Sequence, residues 1–173
     1  MKPAQKPFQI LKLPTDPKEI AVLMEKSKKE LLKKFGSYLE GEFYLDRFTC
    51  SLQTKVLLSG RLHVTNKRVL FRSLFNEKTI FGKSTKIIML LDDITWIEKR
   101  CYNDMKIFPN SILIRVSSPE PRNYFFTSML KNGRKESYEL IKSMLTNLTP
   151  PTEGSTVLVT SSDTSSSKSG GHT

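Results

Sequence analysis

The sequence has 173 residues, and 28 lysines and arginines against 17 aspartates and glutamates give it a net charge of +11. This length suffices for one domain with an apolar core, and the charge favours a polyanionic partner, either an anionic membrane surface or a nucleic acid. No apolar run approaches the roughly 18–20 residues of a membrane-spanning helix, and the N-terminus lacks the apolar core of a signal peptide, so we expect any membrane contact to be peripheral.

The first predicted element is an amphipathic helix over residues 16–36, which follows an arm, 1–15, that we expect to be flexible. Asp16 is a suitable N-cap, Pro17 occupies the first helical position, and Glu19 completes a capping box. An apolar stripe follows the helical period at Ile20, Leu23, Met24, Leu31 and Phe35.

The second half of this predicted helix, which ends at Gly36, is rich in lysine. The lysines are Lys26, Lys28, Lys29, Lys33 and Lys34. They are typical of a solvated face that complements the helix dipole, and also of a basic amphipathic helix that lies on lipid. The apolar stripe is therefore expected to pack either on the rest of the domain or on lipid.

From Glu42 to Met129 the pattern changes to short alternating or apolar runs between turn signals, which is typical of antiparallel strands. Seven strands are predicted, near 42–50, 57–65, 68–74, 85–91, 93–100, 111–117 and 122–128. Alternation predicts seven inward side chains: Leu62, Val64, Val69, Phe71, Ile112, Ile114 and Phe126. The same alternation turns His63 outward, and we expect Trp96 to pack in the barrel.

A second amphipathic helix follows Asn132-Gly133, and Pro150-Pro151 ends it. Its apolar face consists of Tyr138, Ile141, Leu145 and Leu148. The Ser/Thr/Gly-rich tail, 149–173, is expected to be disordered. The predicted fold class is mostly β with α (α+β): a bent, seven-stranded antiparallel barrel that the C-terminal helix caps.

Gly82-Lys83-Ser84-Thr85 has the composition of a nucleotide-binding P-loop, but its surroundings do not fit one. A P-loop needs a glycine five residues before Gly82, where this chain has Glu77. It also needs a helix after Thr85, where an apolar, β-branched run begins instead. The stretch therefore predicts a strand without a nucleotide site.

Candidate catalytic groups are few. Pairing His63 with Cys50 or Cys101 would need an orienting group, for which the sequence gives no signal. Asp92 and Asp93 are adjacent, and neighbours on a strand point to opposite faces. We therefore expect no enzyme activity, no metal site and no cofactor. The two cysteines do not form a disulfide or zinc pattern, so a reducing compartment is expected.

Four segments resemble the GRAM domain family. The stretch FTCSLQTKVLLSGRLHVTNKRVLFRSLF, residues 48–75, resembles the opening of such a domain, and FGKSTKIIML with DDITWIEK resembles its next block. FPNSILIRV, residues 108–116, and YFFTSM, residues 124–129, are similar to two further strands. The matches follow the family order over roughly 40–145, and they look most like the GRAM domains of the Aster/Lam lipid-transfer proteins and their relatives.

The resemblance implies a pleckstrin-homology-like (PH-like) domain over 40–148 with a peripheral role at cytoplasmic membranes, often through recognition of anionic lipid. Two departures from those relatives stand out. The connection from Phe75 to Lys83 is a few residues longer, and the sterol-carrying domain and membrane anchor are absent from this sequence. Lipid transport by this chain alone is therefore not implied.

A binding end is predicted because the first, third and sixth connections of a seven-stranded meander, 51–56, 75–84 and 118–121, emerge together. The candidate headgroup-binding residues are Lys55, Arg61, Lys78, Lys83, Lys86 and Arg122. The candidates for membrane insertion are Phe75, Ile80 and Phe81, and folding of the two phenylalanines back onto the barrel remains an alternative.

The predicted partners are anionic membrane lipids, phosphatidylserine or a phosphoinositide, bound at cytoplasmic membranes by a non-enzymatic module. The first alternative is a PH-like protein–protein adaptor whose basic face is solvated. A nucleic-acid binder is the second alternative, and it is disfavoured because the sequence gives no stacking platform or groove-reading helix.

Overall fold

The computed structural model describes residues 14–74, 84–101, 110–130 and 132–148. Within these ranges the elements in chain order are α1 (Pro17–Phe35), β1 (Tyr44–Gln53), β2 (Leu57–Thr65), β3 (Arg68–Ser73), β4 (Lys86–Leu90), a single 3-10 turn (Leu91–Asp93), β5 (Ile94–Arg100), β6 (Ser111–Val116), β7 (Arg122–Thr127) and α2 (Gly133–Leu148). Most of the predicted arm, the predicted tail and the stretch 75–83 lie outside the described residues.

The strands form one antiparallel sheet in the order β4-β3-β2-β1-β7-β6-β5, which confirms the predicted seven-stranded architecture. β1 extends beyond the predicted residue 50, because Ser51 and Leu52 pair with β2 on one side and with β7 on the other. The connection between β1 and β2 is therefore shorter than the predicted 51–56 and consists of Thr54, Lys55 and Val56.

The apolar core fills the space between the two halves of the folded sheet. All seven side chains that alternation places inside are fully buried, and the rings of Phe71 and Phe126 lie 5.5 Å apart. α2 closes this core with Leu140 and Ile141, whereas Leu148, predicted on its apolar face, is exposed at the end of the helix.

The N-terminal helix lies on the outer face of the sheet. The Asp16 carboxylate accepts a hydrogen bond of 2.9 Å from Lys18 N–H, and Gly36 ends the helix with a φ of 73°. Leu31 and Phe35 of α1 form a small apolar cluster with Leu70 of β3. The second half of the apolar stripe therefore packs on the sheet.

This position of α1 corrects the expectation for His63. The side chain points away from the barrel core, as alternation requires, but only 2% of the residue is exposed, because α1 covers this part of the outer face. The ring of Phe35 meets the imidazole edge-on at 5.3 Å, and the Tyr44 ring lies 5.6 Å away.

A buried ion pair ties the segment between α1 and β1 to the start of β3. Arg68 donates from Nε and from a terminal nitrogen to the two carboxylate oxygens of Glu42, at 2.8 and 2.7 Å. The Thr65 hydroxyl also donates to Glu42, and a further Arg68 nitrogen donates to the Ser37 hydroxyl at 2.9 Å. The network satisfies the buried charges and fixes the approach of α1 to the sheet.

Candidate functional site

One end of the barrel, called here the loop end, collects the elements that the sequence predicted to converge. It contains the β1–β2 turn, the end of β3, the start of β4 and the β6–β7 connection. A cavity of about 500 Å³ at this end is lined by Gln53 and Thr54 at the end of β1, by Lys86 on β4 and by Arg122 on β7. Two of the predicted headgroup residues, Lys86 and Arg122, therefore line the same cavity.

The β1–β2 turn at the loop end is held by short-range hydrogen bonds. The Thr54 hydroxyl donates to Val56 O at 2.7 Å, and Thr54 N–H donates to the same oxygen at 3.0 Å. Lys55, a predicted headgroup residue, is exposed in the middle of this turn. Its ammonium is therefore presented to solvent from an ordered backbone.

Three basic residues form a line across the outer face of the sheet, next to the loop end. Arg61 on β2 lies directly opposite Arg72 on β3, and Arg72 lies opposite Lys86 on β4. We call these three residues the cation row. Neighbouring strands in a sheet are about 4.8 Å apart, so the row spans roughly 10 Å across three strands.

Within the described part of the chain the cation row has no counter-ion. Among the described residues, none of Arg61, Arg72 and Lys86 forms an ion pair, and the Nε of Arg72 is buried without a hydrogen-bond partner. Arg122 differs, since it lies 4.0 Å from Glu120. The row therefore places three positive charges side by side without an ionic partner among the described residues.

Gly60 allows this part of the sheet to pack closely. A Cβ added at Gly60 would lie 2.6 Å from Cζ of Phe71 and would also meet the backbone oxygen of Arg72. Glycine is the residue that lets the β3 backbone and the Phe71 ring approach here. The position of Arg72 in the cation row depends on this approach.

Exposed apolar side chains stand at the tip of the loop end. Val56 in the turn is 62% exposed, Leu57 at the start of β2 is 45% exposed, and Leu74 after β3 is 54% exposed. Leu74 N–H donates to Ser59 O at 2.9 Å, which fixes Leu74 beside β2.

Five of the predicted site residues lie outside the described part of the chain: Lys78 and Lys83 for the headgroup, and Phe75, Ile80 and Phe81 for insertion. Arg72, Val56, Leu57 and Leu74 were not predicted as site residues. The alternation of β3 was available in the sequence and would have put Arg72 on the same face as Arg61, because both flank inward-facing residues.

Cys50 and His63, one of the candidate catalytic pairs, lie on opposite faces of the sheet. Cys50 is buried in the apolar core, which raises the pKa of its thiol to about 12. Asp92 and Asp93 lie in the 3-10 turn rather than on a strand, and Asp92 is exposed. Among the described residues no group of three or more His, Cys, Asp or Glu side chains could hold a metal ion.

His63 is held neutral by its surroundings. Burial lowers its pKa to about 3, and the positive charges of Lys34 on α1 and Arg47 on β1 act in the same direction, while Glu30 opposes them. The Nδ1 atom has no hydrogen-bond partner. A neutral, enclosed imidazole is a packing residue beneath α1 and is not available to a ligand at the loop end.

Trp96 also departs from its expected place. The residue is 55% exposed on β5, because an irregularity in the pairing with β6 between Ile94 and Trp96 shifts the alternation at this point.

No helix in the described residues is long and apolar enough to span a membrane.

The seven-stranded antiparallel sheet and the C-terminal helix that closes it define a PH-like fold. The sequence profile of the GRAM domain family matches residues 29–150, and the chain belongs to this family. The resemblance drawn from the sequence is therefore confirmed.

Among curated proteins, the chain is 34% identical over 101 residues to GRAM domain-containing protein 2B of Mus musculus, a match that covers 58% of this chain and 20% of that protein. It is 32% identical over 96 residues to Protein Aster-A of Mus musculus, with 56% of this chain and 12% of that protein covered. The chain thus spans a fifth or less of the length of these two relatives.

Solved structures agree on the architecture. The C-terminal domain of an unknown protein from Leishmania infantum is 26% identical, with a TM-score of 0.52 over 69% of this chain and 97% of that one. The DH/PH domains of p115-RhoGEF give a TM-score of 0.52 over 77% of this chain and 43% of that one, at 10% identity, and this likeness concerns the fold alone.

Proposed function

We propose that this GRAM domain is a non-enzymatic module that docks on anionic cytoplasmic membranes through its loop end. The observation that carries the proposal is the cation row, in which Arg61, Arg72 and Lys86 lie in register without an acidic partner among the residues that the structure describes. Like charges directly opposite each other destabilise a sheet. An external anion that bridges the row would offset this cost.

The chemistry of the row suits phosphate. Guanidinium groups donate in a planar fork that matches phosphate oxygens, and an ammonium adds a compact charge. The partners proposed are the anionic headgroups of phosphatidylserine or of a phosphoinositide. Lys55 and Arg122, both exposed at the same end, would add long-range attraction to the surface.

The stretch between β3 and β4 remains part of this proposal on the strength of its sequence. Lys78 and Lys83 would contribute to headgroup binding, and Phe75, Ile80 and Phe81 would insert among the lipids. In the sequence this stretch follows Leu74, the residue after the end of β3.

A protein–protein adaptor is the second candidate, and one observation favours it. Trp96 presents a large aromatic surface on β5, and exposed aromatic residues are enriched where proteins bind each other. A nucleic-acid binder has less support, because the cation row contains no aromatic side chain on which a base could stack.

Co-sedimentation with vesicles tests the proposal. We expect the full chain to bind vesicles of phosphatidylcholine with phosphatidylserine or phosphoinositide, and not to bind vesicles of pure phosphatidylcholine. The affinity should fall as the Debye length shortens from ~30 Å at 0.01 M to ~8 Å at 0.15 M salt. A single-stranded RNA at matched salt serves as the polyanion control. Tighter binding to RNA than to any anionic vesicle, or no vesicle binding at low salt, would overturn the proposal.

A further inference from the structure

The apolar tip of the loop end consists of Val56, Leu57 and Leu74, and all three side chains are exposed. Single exposed aliphatic residues are normal on protein surfaces, but a group of them at one end is not explained by the fold. The β1–β2 turn that carries Val56 is fixed by Thr54, whose hydroxyl donates to Val56 O at 2.7 Å and accepts from Val56 N–H at 3.3 Å. The tip is therefore held in place.

The tip and the cation row share the outer face of the sheet. Leu57 and Arg61 have the same parity on β2, and Leu74, the residue after the end of β3, follows Arg72 by two residues and bonds to Ser59 of β2. Since a strand rises about 3.3 Å per residue, the row lies roughly 7 Å behind Leu74. The apolar side chains thus lie nearer the tip of the loop end, and the cations lie further from the tip on the same face of the sheet.

This spacing matches the layers of a bilayer surface. The headgroup region that separates water from hydrocarbon is roughly 5–7 Å thick on each side. With Val56, Leu57 and Leu74 in the outer hydrocarbon, Arg61 and Arg72 would stand at the level of the phosphates. Interfacial segments of proteins bury their apolar face by about 5–10 Å in the same way.

We infer that Val56, Leu57 and Leu74 form a membrane wedge that enters the hydrocarbon layer while the cation row engages the headgroups. The inference rests on the proposed docking of this chain on anionic membranes and adds its orientation and depth. The occupant of this patch is lipid rather than protein, because its described neighbours on β1–β2, β3 and β4, Lys55 and the cation row, are positive.

A tryptophan reporter tests the wedge. Trp96 is the single tryptophan of the sequence, so Trp96→Phe gives a silent background in which Val56→Trp reports on the tip. Val22→Trp is the matched control, because Val22 is 68% exposed on α1, away from the loop end. Both variants are mixed with phosphatidylcholine–phosphatidylserine vesicles whose acyl chains carry bromine, and circular dichroism confirms their fold.

We expect bromine to quench the tryptophan at 56 strongly in bound protein and to leave the tryptophan at 22 unquenched. In the wild-type background, Leu57→Ser with Leu74→Ser should lower vesicle affinity about tenfold or more at every salt concentration, because the lost contribution is apolar. Sedimentation measures whether the protein binds the vesicles, and bromine quenching measures how deeply the tryptophan enters the bilayer. Bound protein with an unquenched tryptophan at 56 would overturn the wedge and leave the docking proposal intact, whereas absence of sedimentation would overturn both.

Discussion

Arg61 on β2 lies directly opposite Arg72 on β3, and neither side chain has an acidic partner among the described residues. Two arginines at a cross-strand position cost stability, and Lys86 on the far side of Arg72 extends the same charge to β4. Because the row costs stability, we expect its three positive charges to have a function. The binding of an anion across the row is the function that we propose for it.

Replacing Arg72 with threonine should raise the stability of the domain and lower its affinity for anionic vesicles. The free energy of unfolding is expected to rise by about 0.2–1 kcal/mol, since the substitution removes a like-charge contact and introduces a β-branched residue. Affinity for anionic vesicles should fall roughly fivefold, because one cation near the surface contributes about 1 kcal/mol. Urea denaturation and vesicle sedimentation measure the two quantities.

Arg100→Thr is the control for that experiment, since Arg100 is an exposed arginine that lies opposite Ser111, at the other end of the β5–β6 pair from the β6–β7 connection. It should leave vesicle affinity unchanged. A destabilised Arg72→Thr variant with wild-type affinity would mean that Arg72 has a structural role instead.

Phe71→Ala tests the core that supports the row. The ring is fully buried, lies 5.5 Å from the Phe126 ring and occupies the space above Gly60. Its removal should lower the free energy of unfolding by about 3–5 kcal/mol, the range for deletion of a core aromatic. Thermal unfolding that matches wild type would show that the barrel interior is wrongly assigned.

The pKa of His63 predicts a loss of stability in mild acid. Because the pKa is about 3 in the folded protein and 6.5 in its ordinary state, the unfolded chain binds the proton more tightly between these values. The stability that neutral His63 provides is complete above about pH 6.5 and declines as the pH falls toward 3, by up to about 1.4 kcal/mol per pH unit.

His63→Leu should remove that part of the pH dependence. The charged groups around the imidazole are Glu30 and Lys34 on α1, Arg47 on β1 and Arg61 on β2 itself, and all of them stay in place. Urea denaturation between about pH 7 and pH 5, above the range in which most carboxylates titrate, compares the two proteins. Equal slopes for wild type and variant would mean that His63 is accessible to solvent in the folded state.

Glu42→Gln should destabilise the protein by about 3–5 kcal/mol, because it leaves the buried Arg68 guanidinium without its counter-ion. Glu40→Gln is the matched control, since Glu40 is exposed two residues away, and its effect should stay within about 0.5 kcal/mol. Similar stabilities for the two variants would contradict the role given to the buried pair.

The sequence predicted most of the barrel because its strands obey a simple alternation. All seven residues that alternation assigned to the interior are buried, and the helix start at Asp16 and stop at Gly36 follow local hydrogen-bonding rules that are visible in the sequence. Trp96 was misplaced because the irregular pairing between Ile94 and Trp96 reverses the alternation, and nothing in the local pattern marks it.

Contacts between distant segments could not be predicted in the same way. Alternation shows that His63 points away from the core but does not show that α1 covers it. The pairing of Glu42 with Arg68 joins residues 26 positions apart, and the cation row depends on the register of three strands. The sequence therefore put Arg61 and Lys86 in one predicted site, but it did not predict that Arg72 lies between them.

The most direct test of the docking proposal is the affinity of Arg61→Glu with Lys86→Glu for phosphatidylcholine–phosphatidylserine vesicles at low salt, measured by sedimentation. Lys28→Glu with Lys33→Glu reverses the same number of charges on α1 and is the control. With each cation worth roughly 1 kcal/mol near the surface, the row variant should lose more than tenfold in affinity, and much less at high salt, while the control changes little. Undiminished binding by a row variant with a native circular dichroism spectrum, together with weakened binding by the α1 variant, would contradict the proposal and place the membrane contact on the helix.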